Sequence, residues 1–397
     1  MTSMLTLEDL DIATLAGVPV LVRVDFNVPL KDGKLADDTR LVEALPTLRE
    51  LAKAKARLLV CSHLGRPKGE ANPKYTLRPV AARLGELLEM KIRFAEDCVG
   101  EPAAKLAAEL ADGEIGLLEN LRFHAGEEQN DPEFARALAA PATAYVDDAF
   151  GAAHRAHASI VGVLETLRRR AAGRLMVREV EALSRLLGEP ERPFAAILGG
   201  AKIEGKLDTL ENLLPRLDLL LVGGGMANTF LAARGADLQA SLVERERLEL
   251  AREILGRAAQ SGVQLLLPTD LVVAPAVDAT DIRTVGVDEV PAGFQALDVG
   301  PETRSAFAAA MRRAKTLFWN GPLGVFEKPP FDAGTRAVAL ALADCRGFTL
   351  IGGGETVAAA RQAGVTSRIG HVSTGGGASL EFLAGRKLPG VVALARS

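Results

Sequence analysis

Short apolar runs rich in β-branched residues recur along the chain, and each ends in a glycine-rich or polar loop. A longer stretch of Ala, Leu, Glu and Arg at helical spacing follows most of them. This alternation predicts parallel strands connected by helices, which is an α/β fold. The predicted strands are Pro19–Asp25, Ala56–Ser62, Glu114–Asn120, Thr143–Asp148, Phe194–Gly200, Leu217–Gly225, Val263–Pro268, Thr316–Gly321, Phe348–Gly354 and His371–Gly377.

An amphipathic segment, Gly173–Gly188, separates the first four predicted strands from the last six. Its apolar residues share one helical stripe, formed by Leu175, Val180, Leu183 and Leu187. A chain of 397 residues also exceeds what one hydrophobic core usually organises. The pattern therefore predicts two Rossmann-like domains, each a mostly parallel sheet wound with helices, joined by this connecting helix and a hinge.

Composition narrows the class of protein. Apolar residues make up 48% of the chain and charged residues 25%, which is typical of packed domains. The net charge of -4 provides no basic field for a polyanion, so no nucleic-acid partner is expected. The three cysteines lie far apart without CxxC spacing, which favours a reducing cytoplasm. The acidic start MTSMLTLEDLD and the absence of any apolar run near ~18 residues predict neither a signal peptide nor a membrane span.

Basic and polar residues follow the predicted strands of the first half, at the edge where open α/β sheets bind ligands. These residues are Asp25, Asn27, His63, Arg66, Arg122 and Arg155. Arginine suits bidentate recognition of carboxylate and phosphate groups, so the cluster predicts a small, multiply charged acid as ligand. The first two, Asp25 and Asn27, could bind a ligand hydroxyl or simply cap the turn after their strand.

Glycine triplets follow three predicted strands of the second half, at Gly223–Gly225, Gly352–Gly354 and Gly375–Gly377. Glycine lets a phosphate approach backbone amides at a helix N-terminus, where the helix dipole also favours an anion. One triplet could be a tight turn without a ligand, but three at one sheet edge indicate a polyphosphate. None continues as GxGxxG, so the dinucleotide fingerprint is absent.

The stretch Gly200–Lys206, GAKIEGK, matches a P-loop in part, but Leu207 stands where Ser or Thr would hold magnesium. If a helix begins there, Lys202 and Lys206 lie on one face of its first turn. Their like charges repel and both oppose the helix dipole, so such a placement usually indicates that an anion binds there. Two solvated surface lysines are the alternative. The chain has no GxSxG or HExxH motif, and Cys61 has only His63 nearby in sequence. Phosphoryl transfer needs no protein nucleophile, so this reaction fits the candidate functional residues.

A series of motifs covers nearly the whole chain in one order and resembles the phosphoglycerate kinase family. The motifs are VRVDFNVP, SHLGRP, LLENLRFH, DDAFGAAHRAHAS, ILGGAK, GGGMA, WNGPLGVFE, IGGG and HVSTGGGASLE. The resemblance implies reversible phosphoryl transfer between 1,3-bisphosphoglycerate and ADP, with Mg²⁺, in a bilobal monomer. Competing interpretations are a nicotinamide-dependent dehydrogenase and a non-catalytic nucleotide-binding module.

The resemblance also assigns residues. It implies an acid-binding set of Asp25, Asn27, Arg40, His63, Arg66, Arg122 and Arg155, with Arg40 reaching the transferred phosphoryl group. It implies catalytic roles for Arg40, Lys202, Gly353 and Gly376. The implied nucleotide set is Lys202, Lys206, Gly224, Gly225, Asn320, Glu327, Gly352, Gly353, Gly354, Glu355 and Thr356.

Two positions depart from the family pattern. Glu355 stands where the family usually has Asp near magnesium, and it is the predicted metal residue. The stretch FQALDVGP lacks a glycine often found there, so no adenine contact is assigned to Ala296. The C-terminal GRKLPGVVALARS resembles the segment that returns to the first domain. The expected domains are therefore 1–172 with 383–397, for the acid, and 173–382, for the nucleotide, which includes the connecting helix 173–188.

Overall fold

The computed structural model of the protein describes residues 4–31 and 33–396. The chain divides into two compact units, the first formed by Met1–Glu181 with Lys387–Ser397 and the second by Ala182–Arg386. The predicted boundaries, 172/173 and 382/383, lie nine and four residues earlier in the chain. Which substrate each unit binds stays a prediction.

The first unit is built on a six-stranded parallel sheet with the order β5-β6-β4-β1-β7-β8. The strands of this unit are β1 (Pro19–Val24), β2 (Leu30–Lys31), β3 (Lys34–Leu35), β4 (Arg57–Cys61), β5 (Arg93–Phe94), β6 (Ile115–Leu117), β7 (Ala144–Asp148) and β8 (Arg170–Ala172). Its first helices are α1 (Thr39–Lys53), α2 (Arg78–Leu88), α3 (Gly100–Glu109), α4 (Ala125–Glu128) and α5 (Pro132–Ala139). Strands β2 and β3 form a separate hairpin.

Both faces of this sheet are covered, as β1 illustrates. Val20 and Val22 pack in one apolar cluster, whereas Leu21 packs in another. Because successive strand residues point to opposite faces, the two clusters lie on opposite sides of the sheet. This burial explains why the strand is an almost continuous apolar run.

The predicted connecting helix is confirmed as α6 (Arg174–Leu187). Its N-terminus is held by the Asp148 carboxylate, which accepts from the amides of Leu175 at 2.8 Å and Met176 at 3.1 Å. The Thr47 hydroxyl accepts from the Arg174 amide at 2.8 Å. These bonds satisfy donors that the first helical turn leaves free, and they fix where the helix leaves the first unit.

The second unit has a six-stranded parallel sheet with the order β11-β10-β9-β15-β16-β17 and a three-stranded antiparallel sheet with the order β13-β12-β14. Its helices are α7 (Leu207–Leu213), α8 (Gly224–Ala233), α9 (Leu248–Gln260), α10 (Pro301–Met311), α11 (Ala333–Ala343), α12 (Gly354–Gln362) and α13 (Gly377–Leu383). Its strands are β9 (Phe194–Leu198), β10 (Leu219–Val222), β11 (Gln264–Leu266), β12 (Asp270–Ala274), β13 (Arg283–Gly286), β14 (Gln295–Val299), β15 (Thr316–Asn320), β16 (Phe348–Ile351) and β17 (His371–Val372). Helix α14 (Pro389–Ala393) belongs to the first unit.

Strand order reverses beside the first strand of each parallel sheet. Strand β7 lies on the opposite side of β1 from β4, and β15 lies on the opposite side of β9 from β10. Open α/β sheets bind ligands at the carboxyl ends of the strands, at such a point. The fold therefore directs attention to the loops after β1 and β7 and after β9 and β15.

All ten predicted strands are present, each shortened at one or both ends. The sequence did not predict the hairpin, the short edge strands β5 and β8, or the antiparallel sheet of the second unit. Each of these strands has only two to five residues, too few for a clear alternation. Within the described ranges of the chain, none of the helices has both the length and the apolar character of a transmembrane span.

Candidate functional site

Four guanidinium groups surround a buried histidine in the first unit. His63 follows β4, and its side chain is almost fully buried. Burial is the largest effect that holds the pKa of His63 well below its usual range, and the positive charges of four guanidinium groups add to it. They belong to Arg23, Arg122, Arg40 and Arg155. The imidazole is therefore neutral near pH 7 and can form hydrogen bonds without adding charge. We refer to these five residues as the arginine site, which has the charge and donor geometry for a polyanion.

Asp25 holds Arg40 in place. The Asp25 carboxylate accepts from Arg40 Nη1 at 2.5 Å and from the Asn27 amide at 3.1 Å. The Asn27 side-chain oxygen accepts from the Gly65 amide at 2.9 Å, which ties the loop after β1 to the loop after β4. Asp25 thus closes the turn after its strand, one of the two roles that the sequence left open, and also positions a guanidinium.

The other predicted acid-binding arginines differ in exposure. Arg122 is 4% exposed, and its Nη1 donates to the Gly65 carbonyl at 2.8 Å. Burial lowers the pKa of Arg122, and the nearby carboxylate of Glu128 partly offsets this effect. Arg155 is half-buried and donates from Nε to His154 at 3.1 Å. Arg66 is exposed and forms no hydrogen bond or ion pair within the described chain, so its side chain is left for solvent or a ligand.

The sequence reasoning missed Arg23, which lies inside β1 and is fully buried. Its guanidinium donates to the Ser159 hydroxyl at 2.9 Å, and its Nη2 lies 3.1 Å from His63 Nδ1. Burial raises the pKa of the neighbouring Glu127, but hydrogen bonds from His157 and Ser159 and the charge of Arg23 lower it overall. The sequence did contain a signal for Arg23, namely a charged residue inside a strand that is buried on both faces.

A cavity of about 320 Å³ opens in the second unit. Gly224, Gly225, Glu327 and Glu355, all predicted nucleotide residues, line it. Ala296, to which the sequence assigned no contact, lines it as well. An apolar wall that the sequence did not reveal is formed by Leu242, Pro268, Leu271 and Val277. Apolar walls with a few convergent polar groups are typical of small-molecule sites.

Lys206 lies at the reversal point between β9 and β15. Its ammonium group donates to the carbonyl of Gly199 and, at 2.9 Å, to that of Asn320. Burial lowers its pKa to about 8, and the charge of Glu355 partly offsets that effect. The Asn320 amide donates to the Gly352 carbonyl at 2.7 Å, which links the ends of β15 and β16. Lys206 is therefore a cation whose carbonyl partners an anionic ligand can replace.

The helix expected at the partial P-loop does not begin at Lys202. Residues Glu204–Lys206 form a short 3-10 turn, and α7 starts only at Leu207. Because two ammonium groups in one first helical turn oppose the helix dipole, the chain separates them before the helix starts. Lys202 is exposed and has no hydrogen bond or ion pair in the described chain, whereas Lys206 is largely buried.

Each glycine triplet opens a helix, as predicted. Gly223 precedes α8, Gly353 precedes α12 and Gly376 precedes α13. The φ angles of Gly353 and Gly376 are 92° and 53°, which side chains rarely allow. Thr356 lies in the first turn of α12, and its hydroxyl accepts from the Gly321 amide at 2.7 Å. Gly354 is the first residue of α12, with its amide at the positive end of the helix.

A buried carboxyl beside the cavity makes the stability of the second unit depend on pH. Burial raises the pKa of Asp298 to about 7, and its oxygen accepts from the Gly334 amide at 2.7 Å. The pKa of Asp298 is higher in the folded state than in the unfolded state. The protonated carboxyl therefore contributes fully to stability below about pH 4, and this contribution is lost as pH rises to about 7. Ionisation of Asp298 thus destabilises the folded unit at neutral pH.

Between pH 5.5 and pH 8, the free energy of unfolding of Asp298→Asn should therefore rise by about 2 kcal/mol relative to that of the parent protein. Urea unfolding followed by fluorescence of Trp319, the single tryptophan, reports on this unit. Asp281→Asn is the control, because that carboxyl is exposed on the same unit. A pH-independent difference between Asp298→Asn and the parent would contradict the assignment.

Comparisons with known proteins agree with one another. The profile of the family described as phosphoglycerate kinase matches residues 7–386. The chain is 52% identical over 390 residues to the phosphoglycerate kinase of Pelotomaculum thermopropionicum, covering 98% of each chain. It is 53% identical to that of Thermus thermophilus, covering 98% of this chain and 100% of the relative.

Solved structures give the same result. The structure of phosphoglycerate kinase from Coxiella burnetii superposes with a TM-score of 0.88 and 41% identity, covering 99% of each chain. That from Pyrococcus horikoshii superposes with a TM-score of 0.85 and 34% identity, covering 98% of each chain. The similarity therefore extends over both units.

Proposed function

The chain belongs to the phosphoglycerate kinase family, and from this premise we propose that its first unit binds phosphoglycerate and its second unit the adenine nucleotide. It is an enzyme that transfers a phosphoryl group reversibly between 1,3-bisphosphoglycerate and ADP, giving 3-phosphoglycerate and ATP, a step of glycolysis. The relatives reported above all carry this name, so neither a dehydrogenase nor a non-catalytic nucleotide-binding module has support.

The arginine site supports the assignment of the acid to the first unit. Phosphoglycerate carries a carboxylate and a phosphate, and Arg122 and Arg155 offer guanidinium donors to such groups. Neutral His63 adds a hydrogen-bonding group, and exposed Arg66 can close over the ligand from solvent. The observation that carries the proposal is the convergence of four guanidinium groups on buried His63, namely those of Arg23, Arg40, Arg122 and Arg155.

The cavity supports the assignment of the nucleotide to the second unit. Its apolar wall, with Ala296 and Leu242, suits the adenine ring, and Gly224 and Gly225 allow the adenosine to approach the backbone. Glu327 lines the same cavity. Beyond this wall, the glycine turns before α12 and α13 offer backbone amides to the phosphates.

Magnesium fits the residues present. Mg²⁺ usually binds one or two carboxylates together with substrate phosphates, and Glu355 is an exposed carboxylate at the start of α12 that lines the cavity. Its charge also acts on the Lys206 ammonium, so the two groups are close enough to share the phosphates. When bound, Mg²⁺ neutralises part of the phosphate charge. The Glu355 side chain is one methylene longer than the Asp that the family usually has at this position.

The transfer itself needs no protein nucleophile. A carboxylate oxygen of 3-phosphoglycerate attacks the terminal phosphorus of ATP while the bond to ADP breaks, and the reverse reaction returns the group. We assign Lys202, Arg40 and the amides at Gly353 and Gly376 to stabilise the charge on the moving group. Lys206 holds the nucleotide phosphates. We further propose that the enzyme is a cytoplasmic monomer.

Equilibrium binding tests the two assignments separately. Arg155→Ala should weaken binding of 3-phosphoglycerate about tenfold to a hundredfold, since a charge-assisted hydrogen bond is lost, and leave ADP affinity unchanged. Ala296→Phe should fill the adenine end of the cavity and have the opposite selectivity. If either variant weakened both ligands equally in a folded protein, the division of substrates between units would be wrong.

Substrates on separate units cannot react until the units come together and exclude water, which would hydrolyse the acyl phosphate. Small-angle X-ray scattering should therefore give a smaller radius of gyration with 3-phosphoglycerate and a non-hydrolysable ATP analogue together than with either ligand alone. Identical scattering profiles for the free and doubly liganded enzyme would count against closure.

A further inference from the structure

Outside the arginine site, three side chains with metal-binding chemistry converge in the first unit. Asp97 and Cys98 follow β5, and His124 follows the short turn Leu121–Phe123. One carboxylate oxygen, the thiol sulfur and one imidazole nitrogen all lie within 4.8 Å of one another. We propose that these three side chains form a binding site for a transition-metal ion, Zn²⁺ in the first instance, separate from the Mg²⁺ of the reaction.

The three ligand atoms lie near the separations that tetrahedral coordination requires. Bonds of about 2.0 Å to nitrogen and oxygen and about 2.3 Å to sulfur place tetrahedral ligand atoms about 3.3 to 3.5 Å apart. The Asp97 oxygen lies 2.7 Å from His124 Nε2, so this pair must separate by less than about 1 Å to admit the ion. The Cys98 sulfur is already within 4.8 Å of both. Small side-chain movements therefore suffice.

The ligands are held in position by other contacts. The Asp97 carboxylate accepts from the Cys98 amide at 2.6 Å, which fixes its orientation beside the thiol. The His124 ring packs against Phe134 with centroids 5.2 Å apart. Cys98 is fully buried, while Asp97 and His124 are 40% and 33% exposed. An ion can thus enter from solvent between these two side chains, with the sulfur behind it and water as the fourth ligand.

The set of donors selects the metal. A thiolate and an imidazole beside one carboxylate favour Zn²⁺, whereas Mg²⁺ prefers oxygen ligands throughout. Burial, followed by the charge of Asp97, raises the pKa of the Cys98 thiol well above its usual range, so the metal must displace its proton.

Cobalt provides a direct probe, because Co²⁺ bound to a thiolate absorbs in the near ultraviolet. Titration of the full-length enzyme with Co²⁺ should produce this charge-transfer band at one equivalent, and Zn²⁺ but not Mg²⁺ should remove it. Cys98→Ser and His124→Asn should each abolish the band. Cys345→Ser is the matched control, since Cys345 is a free, half-buried cysteine of the second unit, and it should keep the band.

Calorimetric titration of the full-length enzyme with Zn²⁺ should give a stoichiometry of one ion per chain. His124→Asn keeps the proposal testable if Cys98→Ser does not fold, because His124 is partly exposed. No band in the parent protein, a band that survives in folded Cys98→Ser, or a Zn²⁺ stoichiometry well below one would overturn the site. A band retained in His124→Asn would equally reject the three-ligand arrangement, leaving the Asp97–His124 contact as a structural hydrogen bond.

Discussion

Replacing Lys202 with alanine is expected to lower kcat about 10²- to 10³-fold and to leave the Kd for ADP nearly unchanged. Lys202 is exposed at the carboxyl edge of the second sheet, and no described residue pairs with it. An unpaired ammonium there can stabilise negative charge that develops during transfer, whereas the Lys206 ammonium already donates to the Asn320 carbonyl at the end of β15. A steady-state assay of 3-phosphoglycerate phosphorylation and an ADP binding titration measure the two quantities.

Lys315→Ala is the matched control for this experiment. Lys315 is also an exposed lysine of the second unit, but it precedes β15 and so lies at the opposite edge of the sheet. Its removal should leave kcat within about twofold, as is usual for surface positions away from the site. Near-normal turnover in Lys202→Ala would remove Lys202 from the catalytic role. A parallel loss of ADP affinity would instead make it a binding residue.

Much of the fold was predictable because parallel strands buried on both faces leave a strong signal. Phe194–Leu198 is an apolar run followed directly by glycine, Thr316–Asn320 is one that ends in asparagine, and both are central strands. Since parallel strands end at one edge, residues that follow different strands were expected to meet. His63, Arg122 and Arg155 do so, although they are far apart in sequence.

The remainder was hidden for physical reasons. Most of the apolar wall of the cavity comes from irregular segments, which contain Leu242, Pro268 and Val277 and whose apolar residues follow no period. Arg23 was not assigned because its partners, His63 and Ser159, come from distant parts of the chain. Only folding brings together the hydrogen-bond partners that compensate a buried guanidinium for its lost hydration.

Arg40→Ala is expected to lower kcat about 10³-fold, the largest loss for any single residue considered above, because an arginine on a moving phosphoryl group carries much of its charge stabilisation. The guanidinium is 31% exposed and is held by Asp25 at 2.5 Å. Arg40→Lys should recover only part of the activity, since lysine lacks the planar, bidentate donor geometry. Arg57→Ala is the control, because Arg57 is a similarly exposed partner of a surface carboxylate, Asp112.

A double-mutant cycle separates the two roles open to Asp25. If Asp25 acts by positioning Arg40, Asp25→Asn alone should lower kcat, and the double variant should be no worse than Arg40→Ala. If Asp25 instead contacts the acid directly, the double variant should also have a raised KM for 3-phosphoglycerate, and the two effects should add. We expect the first result, because the Asp25 carboxylate already accepts from Arg40 and from the Asn27 amide. Full activity in folded Arg40→Ala would exclude Arg40 from the transfer step itself.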